Sequence, residues 1–159
     1  MMRIQTRCFG EASYSQDAVF EFPHGLPGFE DERLFVFLSQ PATHPLMFMQ
    51  SLAHASVCFI LLPILAVDPN YRLSIPPEDL EVLRLPAGGQ PRIGTDVLCA
   101  AMVSTAGDDR PHPTVNLLSP IVLNLRERIG IQTIQTLSGY SHRHPLLALN
   151  PQPEPALCS

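Results

Sequence analysis

Six histidines, four cysteines and two acidic clusters are the residues of this chain whose types could support catalysis or metal binding. His142 and His144 stand two apart, so a strand would place both on one face, where paired imidazoles can ligate a metal. No Cys, Asp or Glu lies near them in sequence and Arg143 sits between them, which favours surface or structural histidines. Cys58 with a remote histidine would suit a nucleophile and its base. It lies inside the run VCFILL, however, where apolar surroundings raise a thiol pKa and quench its reactivity. Glu30, Asp31 and Glu32 form one acidic cluster, and Asp108 and Asp109 ahead of His112 form another. Paired carboxylates can act as acid and base or hold a cation, but both clusters read as solvated loops. There is no Walker loop, no G-x-S-x-G elbow and no H-E-x-x-H helix. The pattern therefore predicts a protein that is not an enzyme and carries no cofactor or metal. Cys8, Cys58, Cys99 and Cys158 contain no C-x-x-C pair and read as reduced thiols in a cytoplasmic protein, Cys58 and Cys99 serving as small core residues.

Charge narrows the field further. The formal net charge is −5, lysine is absent, and the ten arginines are scattered along the chain. A protein that tracks phosphates needs clustered cations, so no direct nucleic-acid contact is expected, whereas a basic protein partner suits the charge. The first 21 residues lack the continuous apolar core of a signal peptide. The longest apolar run, at 57–67, is too short to span a bilayer and is broken by Pro63, so no membrane association is expected.

The elements that would position these residues are set out by seventeen prolines, which leave little room for long helices. Runs at 3–9, 18–22, 34–38, 46–52, 57–62, 96–105, 114–125 and 129–136 read as eight strands, with 46–52 and 57–62 paired as a hairpin. Pro120 inside the seventh run predicts a bulge, a bend or an edge position. One helix is expected to start at Pro76-Pro77-Glu78-Asp79, present Leu80 and Leu83, and stop at Pro86 and Gly88-Gly89. A short helical turn is expected near 64–67. The fold class is mostly β: an antiparallel β-barrel-like single domain over residues 1–146 with one or two short helices. Residues 147–159, rich in proline and without periodicity, read as a disordered tail.

One segment is unusually specific. In Phe22-Pro23-His24-Gly25-Leu26-Pro27-Gly28-Phe29-Glu30, prolines that fix φ and glycines that allow positive φ alternate between apolar anchors. This encodes a single irregular path, either a structural plug at a barrel end or a recognition surface, the plug being the physically favoured of the two.

The same segment opens a resemblance. Phe9-Gly10-Glu11, the F-P-x-G-L-P-G-F-E stretch from Phe22, Gln50-Ser51-Leu52, V-N-L-L-x-P-I-V-L-N from Val115 to Asn124, and Tyr140-x-x-Arg143-His144-Pro145-Leu146 occur in the order and spacing of the FliW family of flagellar assembly factors. The resemblance spans about residues 3–146. It implies a non-catalytic barrel that binds the translational regulator CsrA, relieves its repression of flagellin translation, and also binds flagellin. It further implies a monomer when free. The positions that match the motifs, and so become candidate partner contacts, are Pro23, Gly25, Leu26, Pro27, Gly28, Phe29, Gln50, Asn116, Pro120, Arg143 and His144. Leu117 reads as core, and removal of the Asn116 side chain is expected to weaken CsrA binding without lowering thermal stability. Departures from the family pattern are Leu46-Met47-Phe48-Met49, where tryptophan is frequent, the loop at 85–95, and the tail. A barrel that holds a small molecule in its mouth is the competing reading.

Overall fold

The computed structural model describes residues 1–105 and 111–151 of the chain. Asp108 and Asp109, and the tail from residue 152 on, lie outside the described residues. An N-terminal hairpin pairs β1 (Met2–Thr6) with β2 (Gly10–Tyr14). The expected strand at 3–9 therefore ends early. Thr6 turns the chain, its hydroxyl accepting from the Phe9 N–H at 3.1 Å and donating to the Gly10 carbonyl at 2.6 Å. The returning strand, GEASY, has no β-branched residue, which is why propensity alone does not announce it.

After a 3-10 turn at Gln16–Ala18 come β3 (Val19–Glu21), β4 (Leu34–Ser39), β5 (Met47–Ser51) and β6 (Cys58–Pro63). Then follow the helices α1 (Ile64–Val67) and α2 (Pro77–Val82), and the strands β7 (Leu98–Ser104), β8 (Thr114–Val115), β9 (Ile121–Asn124), β10 (Ile129–Gln132) and β11 (His144–Pro145). Strands β3, β4, β5, β6, β7, β9 and β10 close a ring in that order, with β10 returning to β3. The barrel is closed, as expected, but it is not wholly antiparallel: β3 and β10 run parallel. The reason is arithmetic. A ring of antiparallel neighbours needs an even number of strands, and seven leaves one parallel seam.

The interior is filled by Phe20, Phe22, Phe35, Phe37, Met47, Met49, Leu61 and Leu123. Alternate residues on the same strands face outward under two covers. Val36, Leu38 and Phe48 lie beneath the hairpin, with Phe9 edge-on to Phe48 at 5.2 Å. Leu62, Cys99, Val122 and Ile131 lie beneath α1, α2 and the long loops, packed with Ile64, Leu80 and Leu83. Strands buried on both faces read as unbroken apolar runs, which accounts for LFVFL and LMFM.

Proline and glycine shape the ends of elements. The run at 114–125 is two strands, because the chain leaves the sheet between β8 and β9 and re-enters at Pro120, whose carbonyl accepts from Thr133 at 3.1 Å. Helix α2 stops before Pro86: Arg84 turns left-handed at φ +57°, and the Leu85 N–H closes back on the Leu80 carbonyl at 2.9 Å. At the far end, the Asn150 backbone and side-chain amides both donate to the Ala66 carbonyl, at 2.8 and 3.2 Å. The chain is thus still tied to α1 at the fourth residue of the segment read as a disordered tail.

Gly130 faces the barrel interior, and a Cβ there would lie 2.5 Å from Cζ of Phe22. Gly130→Ala is expected to destabilise the fold by about 1–3 kcal/mol through overpacking, read as a lower urea midpoint with an unchanged slope.

Candidate protein-binding surface

The segment between β3 and β4 plugs the barrel at one part of its path and turns outward at another. Phe22 is fully buried and Leu26 nearly so, and both join the cluster that fills the barrel. Pro27, Gly28 and Phe29 turn outward and are exposed. Leu26 and Phe29 face each other across a tight turn with backbone hydrogen bonds of 3.3 and 2.7 Å. Proline at the second position and Gly28 at φ +83° at the third are the residues such a turn requires. Gly25 is equally constrained: φ is +61°, and a Cβ would meet the Phe29 and Glu30 carbonyl oxygens at 2.6 Å. The outward ring of Phe29, 40% exposed, stands edge-on to Phe59 at 5.3 Å, and Phe59 leans on Phe35. Beside the turn runs an open groove of about 310 Å³, whose far wall is Asp79, Ile131 and Gln132.

Glu32 is not solvated, contrary to the loop reading of its cluster. It is 6% exposed; Oε2 accepts from the Ser51 hydroxyl at 2.7 Å, and Oε1 lies 2.6 Å from His54 Nδ1. Serine, carboxylate and histidine are thus in contact, but in the wrong order for nucleophilic catalysis. The hydroxyl donates to the carboxylate rather than to an imidazole base, and Ser51 is completely buried. Ser51 Oγ also accepts the Ala53 and His54 N–H groups at 3.1 Å, so the cluster clamps the β5–β6 turn.

Gln50 is likewise a structural bolt. It is fully buried; Oε1 accepts from the Arg7 N–H at 3.0 Å, while Nε2 faces the carbonyls of Ser51, His54, Ala55 and Val57 at 3.1–3.3 Å. With its amide consumed internally and no surface, Gln50 offers a partner nothing, which corrects its reading as a contact. Gly25, Leu26 and Pro120 are also buried and shape the surface from below; Pro23 is half-buried.

A second group gathers on an outer ribbon. Strand β8 pairs with the end of β7 and with β11, setting Val115 opposite both Val103 and His144. Leu117 donates to the Ser141 carbonyl at 3.0 Å and is buried, as expected of core. Asn116 and Arg143 are therefore neighbours; Arg143 is exposed, and Asn116 and His144 are half-buried. Asn116 Oδ1 accepts from the Ser119 N–H at 2.9 Å and shapes the turn before β9, a role that spacing did not reveal.

The remaining candidates for chemistry form no metal or catalytic cluster among the described residues: no three His, Cys, Asp or Glu side chains come together to hold a metal ion. His142 is exposed and lies outside any strand. Burial pushes the Cys58 thiol up to about 12 and raises that of Cys99 as well. The phenylalanines and methionines packed inside the barrel leave its interior to side chains rather than to a small molecule.

Fold and surface together define a filled β-barrel capped by a hairpin, two short helices and loops. The model of the FliW protein family matches residues 3–146, and this chain belongs to the FliW family. The flagellar assembly factor FliW of Desulfitobacterium hafniense (strain DSM 10664 / DCB-2) is 34% identical over 145 residues, covering 91% of each chain. That of Anoxybacillus flavithermus is 30% identical, covering 91% of this chain and 94% of its own. A crystal structure of the flagellar assembly factor FliW superposes with a TM-score of 0.78 at 29% identity, over 92% of this chain and 97% of that one.

Two substitutions test the scaffold beneath this surface. Gly25→Ala is expected to cost at least about 2 kcal/mol in urea unfolding, since a strained φ and a backbone clash coincide. Asn116→Ala is expected to cost about 1 kcal/mol by thermal melting, reversing the expectation that stability would be untouched.

Proposed function

We propose that this protein is a flagellar assembly factor that acts by binding two proteins in turn. It holds the translational regulator CsrA, relieving repression of flagellin translation, and it holds flagellin, which competes for it. It works in the cytoplasm as a monomer when free. The observation that carries the reading is the outward apolar turn at residues 27–29. It is pre-shaped by Gly25 and Gly28, anchored by Leu26, and capped by a Phe29 ring that is 40% exposed. A rigid aromatic on a fixed loop binds with little ordering cost, which is how a small surface reaches useful affinity. The net charge of −5 favours a basic partner. The contacts in this reading are Pro27, Gly28 and Phe29, with Pro23 at their base, and Arg143 and His144 on the outer ribbon.

Titration calorimetry against the CsrA and flagellin of the same source tests it. Saturable heat with CsrA, abolished by prior flagellin, is the expected result; no heat with either from a folded sample would remove both partners. Phe29→Ala is expected to weaken CsrA binding tenfold or more while lowering Tm by only a few degrees, through loss of its edge contact with Phe59. Equal affinity of variant and parent would take the turn out of the interface.

A further inference from the structure

Two thiols from distant parts of the chain meet where the hairpin crosses the barrel. Cys8 Sγ lies 3.7 Å from Cys58 Sγ, fifty residues away in sequence. Cys8 occupies the β1–β2 turn and is exposed; Cys58 opens β6 and is half-buried. Both backbones are pinned. On one side of Cys8, the Arg7 N–H is held by Gln50, the residue directly opposite Cys58 in the β5–β6 ladder. On the other, the Phe9 N–H is held by Thr6 and the Phe9 ring by Phe48. A disulfide needs its sulfurs about 2.05 Å apart, so about 1.6 Å must be closed, within reach of side-chain rotation. Cys99 is buried in the opposite outer layer, under the helices, and cannot compete.

We propose that Cys8 and Cys58 form a reversible disulfide staple that fastens the N-terminal hairpin to the barrel when the protein meets a peroxide. The exposed Cys8 reacts first. Its sulfur attacks one peroxide oxygen, the O–O bond breaks, and a sulfenic acid and water result. Cys58 Sγ then attacks the Cys8 sulfur; the S–O bond breaks, and the departing hydroxide takes the Cys58 thiol proton as a second water. In sum two thiols and one hydrogen peroxide give a disulfide and two waters, and a dithiol reductant reverses the bond. Burial, reinforced by the neighbouring Cys8 sulfur, raises the Cys58 thiol pKa, so Cys8 is the one that meets peroxide. The attack by Cys58 is the slower step, made possible by its contact with the Cys8 sulfur.

The test treats the full chain with hydrogen peroxide, then measures intact mass, a non-reducing peptide map and Tm. The expected product is a monomer two hydrogens lighter, with the Cys8 peptide joined to the Cys58 peptide and Tm raised by about 5 °C or more. Dithiothreitol should restore both mass and Tm. Cys8→Ser, an exposed and structurally mild change, should abolish the link. Cys8 carried to sulfinic acid without a cross-link, joined to Cys158, or joined to a second chain would each overturn the staple.

Discussion

Phe22 inside the barrel and the bare Cα of Gly130 opposite it form the contact on which the rest depends. The ring takes the space a side chain on β10 would need, and it stands edge-on to Phe35 and stacked on Phe37. Two strands, β4 and β10, are thereby packed onto one residue just past the end of β3. Since Phe22 also begins the Pro/Gly segment, the contact that fills the core sets the starting point of the exposed turn. Core and surface are then two ends of one short segment, and the shape of the turn inherits the rigidity of the barrel.

Buried polar side chains extend that rigidity outward. Gln50 ties the hairpin to the β5–β6 turn, and Glu32, Ser51 and His54 tie that turn to the segment carrying Phe29. Each group is satisfied inside the protein, which is the condition for burying it without a large desolvation cost. A sequence that looks sparse in charge thus spends several of its polar side chains as internal fasteners rather than on chemistry.

Much of the barrel was legible because its strands carry strong apolar runs and its proline punctuation is dense. One face of the run at 129–136 was readable, since Ile129, Ile131, Thr133 and Gln135 are all buried, although the strand itself ends at Gln132. The second hairpin strand was hidden because Gly10–Tyr14 is polar and small, and its partner turn depends on one threonine hydroxyl. Likewise Gln50 and Asn116 stood out as motif residues, but spacing does not distinguish a partner contact from a bolt. That distinction needs burial and long-range hydrogen bonds, such as the one across 43 residues from Arg7 to Gln50. The proximity of Cys8 to Cys58 is invisible in sequence for the same reason.

The parallel seam also bears on how the chain reaches its fold. Strands β4 to β6 form two hairpins over short separations, and local pairings of this kind are quick to close. The seam instead joins Glu21 to Ile129, with the Glu21 N–H donating to the Arg128 carbonyl at 3.0 Å, and it rests on a single registered pair. Its loop-closure entropy is the larger and its ladder the shorter, so ring closure belongs late in assembly. Until then the barrel is a curved open sheet with β3 and β10 as free edges. Burial of Phe22 against Gly130 is what converts that sheet into a ring.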